Sequence, residues 1–146
     1  RFAHRAGWTV IMAPFFIGLL SGLVLVVYAR AIGLTREAGF FPTLLGAIAS
    51  FYVVFAIEDG ASGSVLTLHI GLFLGFIALA TAGYRVWYWF TCLGLVLHAG
   101  VDLLIHYVPG DPSPDWWGLY CLSLDLVLAG SMIWLRPRTH PAEQER

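Results

Sequence analysis

Apolar residues do not alternate with polar ones along this chain. They gather into five long runs, at about residues 8–29, 40–57, 64–84, 86–108 and 116–135, parted by short polar breaks. A helix that crosses a bilayer needs about 20 such residues, with ~17 to 25 the usual range, and each run falls within it. Closed β-barrels would show short segments of alternating hydropathy, and none is present. Irregular backbone is not tolerated against hydrocarbon. The pattern therefore predicts an all-α, polytopic integral membrane protein: one domain over residues 1–146, a bundle of five transmembrane helices and a polar C-terminal tail at 136–146. The breaks agree with this. ARAIGLTREAG carries two arginines and a glutamate, and EDGASG is acidic and glycine-rich. GYR is short enough to make a hairpin of the third and fourth runs, and PGDPSPD cannot stay helical. The first run is longer than a signal-peptide core and lacks a clean cleavage site, so it is expected to be a retained span.

Composition strengthens the reading. The chain is 59% hydrophobic and only 12% charged, where a soluble domain carries ~25% charged residues. So apolar a chain has no way to hide its surface in a globule of this size. A net charge of -1 leaves no basic stripe for phosphates, which argues against a nucleic-acid partner; the expected partners are membrane lipids. Every basic side chain is arginine, and their placement sets an orientation. Arg30, Arg36, Arg85, Arg136 and Arg138 fall on one side of the spans. Arg1, Arg5 and the acidic loops with Glu58, Asp59, Asp111 and Asp115 fall on the other. The positive-inside rule then predicts a bacterial inner-membrane protein with its N-terminus outside and its C-terminus in the cytoplasm. Trp8, Tyr84, Trp87, Tyr88, Trp89, Trp116, Trp117 and Trp134 lie near span ends, where indole and phenol rings favour the headgroup level. Gly71 and Gly75, four apart, suggest close helix packing, extended by Gly83 and Gly94 in the hairpin. Cys92 and Cys121 sit inside apolar runs and read as small buried hydrophobes.

The candidate chemistry lies in the few ionisable groups inside these runs. Such groups are costly in a membrane and face a partner or a polar cavity. They are His69 in the third run, His98, Asp102 and His106 in the fourth, and Asp125 in the fifth, with Glu58 closing the second. Steps of four put His98, Asp102 and His106 on one helix stripe. At ~1.5 Å rise per residue, they lie about 15, 9 and 3 Å below the end of their run. His69 lies about 7 Å and Asp125 about 13 Å from the corresponding ends of theirs. All therefore share the outer half of the membrane. Imidazole and carboxylate are ligands for zinc, iron or copper, so the set predicts a transition-metal site of His69, His98, Asp102, His106 and Asp125. If it is catalytic, Asp125 or Glu58 is the candidate general base, and metal-assisted hydrolysis or oxidation of a lipid-like substrate is the natural class. The same residues suit proton handling or a purely structural lock between helices. Two readings of other classes remain open: a non-catalytic accessory subunit or homo-oligomer in a larger membrane complex, and a haem- or pigment-binding protein with an axial histidine.

The stretches LVLHAGVDLLIHYV, PDWWGLYCLSLD and FFPTLLGAIASFYVVFA resemble a widespread family of small uncharacterised bacterial integral membrane proteins. Its pattern has a histidine, an aspartate four on and one or two histidines at the next turn. A proline loop, two tryptophans, and a cysteine four before an aspartate follow. Here His98, Asp102, His106, Trp116, Trp117, Cys121 and Asp125 stand at those places. Ile105 takes the place of a second histidine, and His69 that of a glutamate. The resemblance covers roughly residues 37 to 135. It implies that these residues form one site and implies no particular reaction.

Overall fold

The computed structural model describes residues 2–105 and 107–135, and among them the chain is all-helical, with no strand. Five α-helices run in order: α1 (Phe2–Ala31), α2 (Phe40–Glu58), α3 (Gly63–Arg85), α4 (Trp89–Ile105) and α5 (Trp117–Leu135). Each follows one apolar run, as 3.6-residue geometry in an apolar solvent requires. The stops are local. Gly33 after α1 takes the left-handed φ of 82° that a glycine supplies without strain. Gly60 after α2 does the same at 65°, and Ala61 N–H closes back on the Ala56 carbonyl at 2.9 Å, which ends the helix in a Schellman-type turn.

Among the described residues, four helices are long and apolar enough to cross a membrane: α2, α3, α5 and the Met12–Ala31 part of α1. The fourth departs from expectation. The sequence predicts a span over 86–108, whereas α4 covers Trp89–Ile105, 17 residues. Its ends are trimmed by turns. At the start, Trp87 N–H bonds the Ala82 carbonyl and Phe90 N–H bonds Trp87. At the end, Tyr107 and Val108 make single-turn bonds to Leu104 and Ile105 ahead of Pro109. The helix proper rises ~26 Å, against ~30 Å of hydrocarbon.

The helices form an arc in the order α1, α5, α4, α3, α2, each packed on the next, with α2 also touching α4. Its open side, between α1 and α2, is an apolar cleft of about 730 Å³ that Pro14, Ile17, Phe51, Trp117 and Leu124 help to line. Glycines decide how closely the helices approach, but not the pair expected. Gly71 and Gly75 face open space, with nothing within 4 Å of where a Cβ would stand. The close approaches are at Gly83, against Thr91, and at Gly94, against Leu45. Gly18 meets the Tyr120 backbone, and a Cβ on Gly22 would lie 3.0 Å from that of Val127. Gly18-x3-Gly22 thus seats α1 on α5, a small-residue contact of the kind that joins membrane helices. A second correction concerns Trp117. It stands at the start of α5, as expected, but is buried, and its ring packs on Phe51 and Phe55 at 5.0 and 4.8 Å. Trp87 and Trp134 do stand exposed.

Candidate functional site

Two helices supply the core of the site. On α4, His98 and Asp102 are one turn apart and point the same way. On α5, Asp125 faces them. All three side chains are fully buried. His98 Nδ1 lies 2.8 Å from Asp125 Oδ2 and 3.2 Å from Asp102 Oδ2. One ligand atom from each residue lies within 4.8 Å of the other two. Three ligand-bearing groups thus converge on one point from adjacent antiparallel helices.

A fourth residue orders them. Tyr52 of α2 donates from its hydroxyl to Asp102 Oδ1 at 2.6 Å and is itself buried. Its ring packs against His98 at 5.1 Å, and Phe76 of α3 covers another side of the imidazole at 4.9 Å, edge to face. Tyr52 therefore holds one oxygen of Asp102 and leaves the other, Oδ2, turned to His98. The sequence signal for it was a tyrosine in the middle of an apolar run, away from either interface, and it went unread. Cys121, one turn before Asp125, is buried with its thiol beside the Asp102 carboxylate.

Charge decides what this arrangement can hold. Two ionised carboxylates in an apolar core carry -2, and a protonated His98 offsets half of it. Arg30, Arg36 and Arg85 are exposed, in or beside the loops at the opposite ends of their helices. Burying a charge without compensation is prohibitive. Either protons or a cation must complete the balance. Two buried polar atoms, Asp125 Oδ1 and His98 Nε2, also lack hydrogen-bond partners among the described residues. Buried polar atoms are nearly always satisfied, so unfilled capacity here points to a ligand. The donor set fits a metal ion. Ligands at ~2.1 Å from a zinc-like ion lie about 3 to 3.4 Å from one another; His98 Nδ1 is 3.2 Å from Asp102 Oδ2, within that range, and 2.8 Å from Asp125 Oδ2, a little shorter.

The other expected site residues are placed as follows. His69 of α3 is fully buried but stands apart from the three. Its ring packs on that of Tyr52 at 5.8 Å, and its Nε2 faces Asp111 Oδ1 at 3.8 Å. Glu58 is exposed at the C-terminal end of α2. His106 lies outside the described residues. Ser123 bonds back to the Tyr120 carbonyl at 3.0 Å, a serine satisfied by its own helix.

Comparison with protein-family models, with curated proteins and with solved structures finds no match for this chain.

Proposed function

We propose that this chain is a five-span protein of the bacterial inner membrane, N-terminus outside, that binds a divalent transition-metal ion (zinc, iron or copper) on His98, Asp102 and Asp125. The observation that carries the reading is the convergence of three fully buried ligand groups on one point, while the described arginines, Arg30, Arg36 and Arg85, are all exposed. A divalent ion with a neutral imidazole and two carboxylates sums to zero charge, the state a low-dielectric interior favours. Tyr52 supplies the outer-shell hydrogen bond that orients Asp102. Membership in the small bacterial membrane-protein family that the sequence resembles fits the same grouping. The fifth crossing is α4, which packs between α3 and α5, two helices of spanning length; the turns at its ends make up the missing depth.

Bound there, such an ion would supply Lewis acidity for water activation or, if iron or copper, a redox centre. The chain's own residues bind it, exclude water and fix the Asp102 carboxylate. On this reading Asp125 serves the ion and is not a free general base, and a lipid-like substrate is the class able to approach within the bilayer.

Elemental analysis and an absorption spectrum of the full chain purified from membranes test the proposal. The expected result is one metal ion per chain, lost in both His98→Ala and Asp102→Ala. Metal-free wild type, or variants that keep their metal, would overturn it.

One observation favours a second reading. The 2.8 Å His98–Asp125 and 2.6 Å Tyr52–Asp102 distances are also ordinary charge-assisted hydrogen bonds, so a proton-sharing lock between α2, α4 and α5 has the same geometry. Asp125→Asn separates the two. A lock tolerates the amide, and its melting temperature falls only slightly, whereas a metal centre loses its ion.

A further inference from the structure

A buried imidazole outside the inner group has one nitrogen facing a carboxylate across a gap too long for a hydrogen bond. His69 has no exposed surface, and its Nε2 meets hydrogen-bond geometry with no partner among the described residues. Buried polar atoms are nearly always satisfied, so a ring nitrogen held here short of a partner marks room for a ligand. Opposite its Nε2, 3.8 Å away, stands Asp111 Oδ1 from the loop between α4 and α5. That carboxylate is held in place: Ser113 donates to the same oxygen from its backbone N–H at 3.2 Å and from its hydroxyl at 2.9 Å.

We infer that His69 and Asp111 form a second, outer cation position for a divalent transition metal, above the His98–Asp102–Asp125 group. A 3.8 Å gap is too long for a hydrogen bond. It is short enough for one ion with a ligand on each side, since two ligands at ~2.1 Å span at most about 4.2 Å. The donors are one imidazole and one carboxylate, the same kinds as in the inner group, so the two positions select the same class of ion. The surroundings are those of a ligating histidine. The Tyr52 backbone carbonyl faces the ring, and an acceptor of that kind fixes a ligand imidazole through its second nitrogen. The Ser113 bonds orient the carboxylate in the same way.

The position also has a place in the architecture. The Tyr52 ring joins the two groups, packing on both the His69 and the His98 rings, at 5.8 and 5.1 Å. The inner ligands are fully buried, while Asp111 belongs to an interhelical loop. An ion on His69 and Asp111 has two protein ligands, against three for the inner one. With fewer protein ligands it is held more loosely than the inner ion.

The inference takes its ion class from the proposed function, and the test keeps the two apart. The full chain in detergent is stripped with chelator and titrated with zinc chloride alone, with bound zinc counted after desalting and by calorimetry. The expected result is two zinc ions per chain in two affinity classes. His69→Gln and Asp111→Asn each lose the weaker ion and keep the tighter; His98→Ala loses the tighter. One zinc per chain that depends on His98 and is untouched by either outer variant overturns the outer position and leaves the inner one standing. This is the outcome if His69 and Asp111 are only an ion pair. One zinc lost equally in His69→Gln and His98→Ala overturns it too, in favour of a single shared site. No zinc bound overturns both readings. Thermal melts of each variant show that it is folded, and Asp111→Asn, in a loop, supplies the reading if the buried His69→Gln does not fold.

Discussion

Tyr52 shows most plainly how one side chain organises the interior. It contributes the hydroxyl on Asp102, the ring against His98 and the ring against His69. Replacing it with phenylalanine keeps the ring and removes a hydrogen bond to a buried carboxylate, which costs about 1–3 kcal/mol. Tyr52→Phe is therefore expected to melt several degrees lower than wild type. It should also bind the inner ion ~10 to 100-fold more weakly, as loss of an outer-shell partner does elsewhere; competition with a chelator of known affinity measures this. An unchanged affinity would show that Asp102 is oriented by something else. The His98, Asp102 and Asp125 cluster was legible in the sequence, because counting rise along the fourth and fifth apolar runs gave these groups similar distances from the shared end of the two runs. Counting depth does not give azimuth. His69 has the right depth but packs on Tyr52, apart from the three, and Glu58 has the right level but stands exposed at the end of α2.

At the level of helices, packing turns on where a backbone is allowed to approach. Gly18 and Gly22 sit against α5, while Gly71 and Gly75 meet nothing. The two pairs have the same spacing, so spacing alone did not separate them; which helix fills the groove depends on how the bundle is arranged. The contrast is measurable. Gly18→Leu is expected to push α1 from α5 and lower stability by ~1–3 kcal/mol or more through overpacking. Gly71→Leu is expected to leave stability unchanged or slightly higher, since it replaces a poor helix former on an open face. Melting of both variants in one detergent checks it, and equal losses would contradict the packing of α1. Tight turns likewise account for the length of α4. Hydropathy reads solvent preference and so counts residues 86–88 and 107–108 as span, whereas their hydrogen bonds are those of turns.

The whole molecule has a polarity. Arg30 lies 5.6 Å over the ring of Trp134, which brings the C-terminal ends of α1 and α5 to one end of the bundle, and the Asp111 loop with His69 lies at the other. Labelling of single cysteines in a Cys92→Ala/Cys121→Ala background tests the proposed topology. A cysteine at position 34 is expected to react only in inside-out vesicles, and one at position 60 only in intact cells. The same face for both would remove the five-span reading. The sequence by itself determined that the chain is helical and, apart from the ends of α4, where its helices run. Each follows from local chemistry: backbone groups that must satisfy themselves in hydrocarbon, and a fixed rise per residue. Only the tertiary structure decided which faces meet. That choice rests on contacts between residues far apart in the chain, such as Tyr52 with Asp102 and Gly18 with Tyr120, whose pairing no single stretch encodes.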